Sequence, residues 1–336
     1  MSKYHIYGIG AALVDTEIEA SDADLAASNI EKGVMTLVDE ARQHELMDLL
    51  SDHLVASKRA SGGSAANTII AASYFGADNF YSCKVANDDN GWFYLSDIKQ
   101  AGVDTPSHSG EAEGITGKCL VMITPDAERT MNTFLGISET LSVDDIDLEA
   151  LKQSEYAYIE GYLVTSETGR AAAIELRQQA QSHGVKTAFS LSDPAMVQFF
   201  RDGLKEIIGD KVDLLFCNHD EALGFTATDN LDDAMEQLLQ HTEQFVITLG
   251  EEGAIIYDGK RHIPIAGSPA KAIDTNGAGD MFAGAFLYGI THGLSHEDSG
   301  ILASVSAAKV VSQYGPRLAP EDHKVLLESV VFHKDV

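Results

Sequence analysis

The stretch "AIDTNGAGDMFAGAF", residues 272–286, places small residues between Asp274 and Asp280 and then continues as an apolar, helix-like run. Residues 277–279 lack bulk, so the backbone there can turn tightly and point several N–H groups into one concavity at the head of the helix. Such a concavity binds anions, and a carboxylate beside it can accept the proton of an attacking hydroxyl. The stretch therefore has two interpretations: a phosphoryl-transfer site, or an acidic helix start after an ordinary glycine-rich turn.

Around this stretch, apolar runs bounded by turn residues alternate with segments of helical period. "YHIYGIG" (4–10) is typical of a buried strand, and "SETGRAAAIELRQQAQSHG" (166–184) of a helix that ends at glycine. "SAANTIIAASYFGA" predicts a further helix, with Ser64 as a candidate N-cap and Gly76 near its end. The alternation predicts an α/β fold with a doubly wound, mainly parallel sheet flanked by helices. Because no repeat or linker interrupts it, we expect a single domain over residues 1–336.

One region does not follow this alternation. "GITGKCLVMITPDAERTMNTFLG" (114–136) carries β-branched and apolar residues on both sides of a turn, which predicts a hairpin outside the main sheet. Together with residues near the start of the chain, it would form a small β-sheet lid, with lid segments at approximately 14–37 and 108–136. The alternative is an extension at one edge of the main sheet.

Composition limits the classes of function. The 336 residues carry a formal net charge of -29, so long-range repulsion opposes binding to nucleic acid or to an anionic membrane surface. The cysteines Cys83, Cys119 and Cys217 are odd in number and far apart, which argues against a disulfide framework. The start of the chain has no signal-peptide pattern, so we expect a cytoplasmic protein.

Two phosphate-binding patterns are incomplete. "GIGAAL" (8–13) begins like a dinucleotide fingerprint, but Leu13 stands where a third small residue is required. "EAEGITGKC" (111–119) contains a Gly-Lys pair, but Ala112 and Cys119 replace the first glycine and the magnesium-binding hydroxyl of a Walker loop. These departures argue against a nicotinamide oxidoreductase and an ordinary P-loop enzyme. The usual zinc-protease and serine-hydrolase motifs are also absent from the sequence.

Four motifs in the expected order resemble those of the ribokinase-like family, also called PfkB carbohydrate kinases. "ASGGSAANTIIAASYFGADNFYSCKVANDDNG" (60–91) is similar to the amino-terminal signature, and residues 272–286 are similar to the carboxyl-terminal signature. "NHDE" (218–221) matches the N-x-x-E motif, and "TLGEEGA" (248–254) matches the T-x-G-x-x-G nucleotide stretch. The resemblance covers essentially the whole chain and is strongest to the bacterial adenosine kinase-like branch.

The resemblance implies an ATP-dependent kinase that transfers the γ-phosphoryl group to a primary hydroxyl of a nucleoside or sugar. At the matching positions Asp280 would be the general base, and the loop from Asn276 to Asp280 would form the anion hole with Gly277, Ala278 and Gly279. For the acceptor, Asp15 would hold two neighbouring hydroxyls, with Gly62, Gly63 and Asn67 against the same ring. Without the resemblance, Asp15 reads as an exposed acid at a strand end and Asn67 as a polar residue early in a helix.

The same matches imply residues for the nucleotide and its cations. The residues implied for the nucleotide are Asn218, Thr248, Gly250, Gly253 and Asn276. Glu221 would organise Mg²⁺ through water, since this ion prefers oxygen ligands and retains water. Asp274 would help to hold K⁺, which many family members bind. A strand end that leads into a capped helix also explains Asn218 and Glu221.

The sequence does not decide which compound accepts the phosphoryl group. "GAALVD", "ERTMNTFLG" and Asn276 favour a nucleoside such as adenosine, while fructose, ribose or ketodeoxygluconate kinases of the same family remain alternatives. Arg129 has two interpretations, a phosphate contact or an exposed ion pair with Glu128. A non-catalytic nucleoside sensor is a third possibility. The apolar "CLVMI" strand (119–123) suggests a homodimer formed through the lid.

Overall fold

The computed structural model describes residues 2–53, 58–126 and 128–331. Two sheets and a set of surrounding helices account for its regular structure. The strands are, in chain order, β1 (Tyr4–Ile9), β2 (Leu13–Glu19), β3 (Met35–Leu37), β4 (Lys58–Gly62), β5 (Asn79–Ser82), β6 (Val103–Asp104), β7 (Thr116–Ile123), β8 (Arg129–Gly136), β9 (Ser154–Glu160), β10 (Lys186–Ser190), β11 (Val212–Asn218), β12 (Thr242–Thr248), β13 (Gly253–Tyr257) and β14 (His262–Ala266).

Helices connect most of these strands. They are α1 (Asp22–Ala27), α2 (Glu40–Leu49), α3 (Ser64–Phe75), α4 (Asp89–Gln100), α5 (Leu148–Lys152), α6 (Glu167–Ser182), α7 (Pro194–Ile208), α8 (His219–Thr226), α9 (Leu231–Leu238), α10 (Ala278–Thr291), α11 (His296–Val310) and α12 (Pro320–Val331).

The main sheet has nine strands in the order β14-β13-β12-β11-β10-β9-β1-β5-β6. The pairs from β12 to β6 are parallel, and β13 and β14 add an antiparallel edge. Helices cover both faces. Ile6 packs on one face with apolar residues of α3, α10 and α11, and Tyr7 packs on the other with residues of α6 to α9. The predicted α/β architecture is confirmed.

The hairpin β7–β8 lies in a separate five-stranded sheet with the order β3-β8-β7-β2-β4. The alternative of an edge extension of the main sheet is therefore wrong. Residue 127, which the sequence predicts in the turn of this hairpin, lies outside the described residues. The small sheet also contains β4, and α2 packs on it, although both lie beyond the segments 14–37 and 108–136 expected for the lid.

Both faces of strand β7 are buried within the same chain. Because alternate residues of a strand point to opposite faces, Leu120 and Met122 pack outward against Leu25 of α1 and Leu46 of α2. Cys119, Val121 and Ile123 form an inner cluster with Leu13 and Met131. The "CLVMI" strand is thus covered within one chain.

The start of α3 differs from the expectation. Its N-cap is Gly63, at φ 101°, and Ser64 is the first helical residue. The expected end is confirmed, because Gly76 forms the C-cap in the left-handed conformation. Ser64 is therefore released from capping, and its hydroxyl contacts another helix.

Across the residues that the structure describes, no helix is both long and apolar enough to cross a bilayer. The three cysteines are free and buried.

Candidate active site

A cavity of about 360 Å³ lies between the carboxyl edge of the main sheet and the inner face of the small sheet. Open α/β sheets bind ligands at this edge. Glu160 and Thr248 reach the cavity from strands β9 and β12, and Met131 reaches it from the small sheet. The predicted site residues that line it are Asp15, Gly63, Asn67, Asn218, Glu221, Thr248, Gly250, Asn276, Gly277, Ala278, Gly279 and Asp280. Gly62, Gly253 and Asp274 are not part of the lining.

The loop before α10 has the shape of an anion site. Gly277 is in the left-handed region at φ 76°, and a Cβ there would lie 2.5 Å from the Cα of Pro316. Ala278 begins the helix, and its N–H donates to the carbonyl oxygen of Thr275 at 3.3 Å; the first N–H groups of a helix have no partner within the helix itself. Around Gly279 a Cβ would meet no atom of the described residues within 4 Å. Donors and space for an anion therefore coincide at this helix start.

Asp280 lies in the first turn of α10 and faces α3. Its carboxylate accepts hydrogen bonds from Ser64 Oγ at 2.7 Å and from Asn67 Nδ2 at 3.1 Å. Burial raises the pKa of Asp280, while these two bonds and the charges of Arg129 and Arg317 lower it. The carboxylate is thus held in one orientation beside the anion loop. Asn67 is not merely an early-helix polar residue, because it joins two helices at the cavity.

Asp274 is fully buried and ties two loops together. One carboxylate oxygen accepts from the N–H of Asn276 and the other from the N–H of Gly315, both at 2.8 Å. Both oxygens therefore have a structural partner, although each retains a free lone pair for a cation. A K⁺ ion at this position stays a prediction.

Asp15 lies within β2 and is buried, so it is not an exposed acid at a strand end. Burial raises its pKa to about 8, and the neighbouring Glu17 contributes to this rise. A Cβ on Gly62 would lie 2.1 Å from the Asp15 carboxylate, and one on Gly63 would lie 2.3 Å from the carbonyl oxygen of Ala11. The two glycines therefore permit the close approach of three chain segments around this carboxylate.

Glu221 and Asn218 form a reciprocal helix cap at the start of α8. The Asn218 side chain accepts from the Glu221 N–H at 2.8 Å, and Glu221 accepts from the N–H and the amide of Asn218, both at 2.9 Å. Burial raises the pKa of Glu221 to about 7, and Asp193 adds to the effect. The capping explanation is thus confirmed, while both residues also line the cavity.

This donor set fits a largely hydrated Mg²⁺. Among the described residues no group of three or more His, Cys, Asp or Glu side chains is placed to hold a metal. Magnesium retains several waters and is commonly held by one or two carboxylates and by substrate phosphates. Glu221 supplies one such carboxylate at the cavity wall, where its remaining lone pairs can bind metal-bound water.

Thr248 and Gly250 in the loop after it form part of the cavity wall. Gly250 has φ 61°, and Gly253 has φ 101°. A Cβ on Gly253 would lie 2.1 Å from the carbonyl oxygen of Ile265. Gly253 thus shapes the loop from behind, while Thr248 and Gly250 line the cavity.

Two further residues enter the site. Glu160, at the end of β9, is buried and accepts from the N–H of Ala11 at 2.6 Å and of Ala65 at 2.8 Å. Arg129 lines the cavity and donates to the Asn276 side chain at 3.1 Å. Sequence reasoning missed Glu160, whose one visible signal is an acid directly after a buried strand. Arg129 is only partly exposed and lies at the cavity, so it is not simply an exposed turn residue; its contact with a phosphate stays a prediction.

Glu160 is expected to make stability depend on pH. Burial raises its pKa to about 7, compared with roughly 4.3 in an unfolded chain. Between these values the unfolded chain has lost a proton that the folded protein retains, so the free energy of unfolding falls as pH rises. Urea unfolding measures the free energy of unfolding at pH 5 and at pH 8. Glu160 should lower this free energy by on the order of 3 kcal/mol between the two pH values, and the Glu160→Gln variant should lack this contribution. Equal pH dependence in both proteins would contradict this expectation.

Residues 35–323 match the family model described as pfkB family carbohydrate kinase. The chain belongs to this family. The fold agrees with the solved adenosine kinase of Sinorhizobium meliloti, which is 33% identical at a TM-score of 0.90, over 98% of this chain and 100% of that one.

Further relatives of this kinase include proteins of two names. The adenosine kinase of Saccharomyces cerevisiae is 28% identical, over 93% of this chain and 96% of the yeast protein. The 5-dehydro-2-deoxygluconokinase of Clostridium perfringens is also 28% identical, over 75% of this chain and 78% of that protein. The chain is accordingly a phosphotransferase that acts on a hydroxyl of a nucleoside or sugar. Kinases of this family use ATP, typically with Mg²⁺.

Proposed function

We propose that this kinase transfers the γ-phosphoryl group of ATP to a primary hydroxyl of a nucleoside of the adenosine type, with Asp280 as the general base. The observation that carries the proposal is the position of the Asp280 carboxylate beside the anion loop of residues 276–279, in the same cavity as Asp15. The acceptor oxygen forms a bond to the γ-phosphorus as the bond to the ADP oxygen breaks. Asp280 takes the acceptor proton, and the N–H groups of the loop stabilise the charge of the phosphoryl group.

The lining of the small sheet favours a nucleoside. Leu13, Met35, Met131 and Leu135 add apolar surface to the cavity beyond the polar groups around Asp15. A free sugar offers hydroxyls on all sides, whereas a nucleoside presents a diol at one end and an aromatic base at the other. Apolar surface and thioethers suit the faces of a base. The relatives named adenosine kinase support the same acceptor.

A sugar kinase is the second candidate, because relatives named 5-dehydro-2-deoxygluconokinase and ribokinase align with much of the chain. Asp15 and Asp280 would keep their roles with either acceptor. A nucleoside sensor is disfavoured, since it would need neither a base nor an anion loop.

Initial rates of ADP production separate these candidates. Purified protein with Mg-ATP is assayed against adenosine, other nucleosides, ribose, fructose and ketodeoxygluconate, with and without K⁺. Turnover on a nucleoside supports the proposal, whereas turnover on a free sugar alone replaces the acceptor. No turnover on any of these compounds, with nucleoside binding detected by calorimetry, would favour the sensor.

We assign the remaining ligands from position and chemistry. Asp15, Gly62, Gly63 and Asn67 would hold the acceptor; Asn218, Thr248, Gly250, Gly253 and Asn276 would contact or shape the site of the nucleotide. Glu221 would orient Mg²⁺ through water and Asp274 would contribute to a K⁺ site. Arg129 would contact the transferred phosphoryl group.

Asp15→Asn is expected to raise KM for the acceptor by roughly tenfold or more at pH 9, above the Asp15 pKa of about 8, while changing kcat less, because the ionised carboxylate accepts two hydroxyls and an amide accepts with one oxygen. The change is isosteric, so the close approach of Gly62 is kept. Initial rates over a range of acceptor concentration measure the effect. Asp39→Asn, at the exposed cap of α2, is the control. An unchanged KM would remove Asp15 from acceptor binding.

We propose that residues 1–336 act as one domain in which the small sheet is a lid. Along the sequence, the strands of the small sheet lie between β1 and β9, which both belong to the main sheet. The chain thus passes from the main sheet into the small sheet and back. Closure would exclude water from the phosphoryl group. The expected cytoplasmic location fits three free, buried thiols.

Dimerisation through the lid stays a prediction. Leu120 and Met122 already pack against α1 and α2, so a partner would have to use other lid surface. Analytical ultracentrifugation would decide between monomer and dimer.

A further inference from the structure

Arg317 lies next to the Asp280 site without being part of the cavity lining. It lies in the loop between α11 and α12, and its side chain is only 14% exposed. The guanidinium makes three directed contacts, each from a different nitrogen. Nε donates to Asn67 Oδ1 at 3.1 Å, Nη1 to Asp97 Oδ2 at 3.0 Å and Nη2 to Ser61 Oγ at 2.9 Å.

The position of this guanidinium is itself fixed. The Asp97 carboxylate also accepts from the N–H of Ser61 at 3.1 Å and from the Ser61 hydroxyl. Arg317 thus joins β4, α3 and α4, and its planar fork leaves little freedom of orientation.

The contact to Asn67 determines which way its amide faces. An amide has an oxygen that accepts and a nitrogen that donates. Because the oxygen accepts from Arg317, the nitrogen faces Asp280 Oδ2 at 3.1 Å. The reversed amide would place its oxygen against the carboxylate and its N–H groups against the guanidinium, which is unfavourable on both sides.

We propose that Arg317 is a positioning residue that fixes the Asn67 amide so that it donates to Asp280 and holds this carboxylate in its reactive orientation. The proposal rests on the proposed role of Asp280 as base. The same loop supports the site at two more points, since Gly315 donates to Asp274 and Pro316 packs on Gly277. Burial raises the pKa of Asp280, and the charge of Arg317 is among the groups that oppose this rise.

The test is a double-mutant cycle on ADP production with the acceptor that supports turnover. Arg317→Ala should lower kcat by roughly 10- to 100-fold and leave KM for ATP unchanged, since a displaced catalytic group costs rate rather than nucleotide binding. In an Asn67→Ala background the same change should lower kcat by less than about twofold, because the two residues act as one unit. Arg261→Ala, at an exposed arginine, is the control.

Thermal unfolding shows whether each variant is folded. If Arg317→Ala does not fold, Arg317→Lys decides, since it keeps the charge but cannot supply three donors in one plane. We expect the lysine variant to be folded and still slowed by about tenfold or more. A folded variant with wild-type kcat, or equal losses with and without Asn67, would overturn the proposal.

Asp280→Asn is assayed alongside. If that variant stays active, the base assignment fails and the positioning role fails with it. If it is inactive while Arg317 and Asn67 act independently, only the positioning role is rejected.

Discussion

Asp280→Asn is expected to fold, to bind ATP and to lose activity by about 10²- to 10⁴-fold in kcat, the usual contribution of a general base. The amide has the shape of the carboxylate but cannot take the proton of the acceptor. Its oxygen can still accept from Ser64, whereas its NH₂ group faces the NH₂ of Asn67, whose orientation Arg317 fixes. The loss of this one bond to a carboxylate should lower stability by about 2 kcal/mol.

Initial-rate ADP production, calorimetric titration with ATP and thermal unfolding measure these three quantities. Asp89→Asn is a matched control, because Asp89 is an exposed acid in the first turn of α4. It should behave as wild type. Activity of Asp280→Asn within about tenfold of wild type would exclude Asp280 as the base.

Gly277→Ala should have the second largest effect, a fall in kcat of about 10²- to 10³-fold, comparable to the loss of an oxyanion-hole donor. A Cβ at this position would lie 2.5 Å from both the Cα and the carbonyl oxygen of Pro316. The backbone of Pro316 cannot move aside as a flexible side chain can, so the loop itself must shift. Its N–H groups would then no longer point at one bound phosphoryl group. The left-handed φ of 76° adds strain for any residue with a Cβ.

Gly293→Ala is a control that distinguishes the strain of a left-handed φ from the steric clash with Pro316. Gly293 has a similar φ of 80°, and a Cβ there would meet no described atom within 4 Å. It should cost about 1–2 kcal/mol of stability and leave kcat unchanged. Equal losses of kcat in the two variants, or an active Gly277→Ala, would refute the idea that the packing of Gly277 on Pro316 shapes the anion loop.

The main sheet was predictable because its parallel strands are buried on both faces and appear as short apolar runs such as β11. Helix α2 was not predictable by the same means. Its buried residues are Gln43 and Leu46, so its apolar period is faint. Its position depends on packing against Leu120 and Met122 of β7, which are distant in the sequence.

The same distinction applies to the site. The loop before Asp280 was visible because a tight glycine turn and a helix start are local features. Glu160 was not, because its partners are backbone N–H groups that lie 149 and 95 positions away. The side chain of an acid after a strand gives no sign of such partners. Arg317 was missed for the same reason, since the residues that bind its guanidinium come from three other elements.

The small sheet is joined to the rest of the described chain at one end. Leu13 pairs with Gly62 and Gly117, and Thr116 pairs with Gly136, so the four connections to the main body leave from neighbouring positions. If the small sheet opens as a lid, as proposed, these connections would keep that end close to the main sheet while the rest of the small sheet moves away. Asp15 lies two residues from Leu13 at this connected end of the sheet, whereas the turn between β7 and β8 is at the opposite end. Opening would therefore displace the hairpin turn by a large distance and Asp15 by a small one. An acceptor could then bind to Asp15 before the rest of the small sheet closes over it.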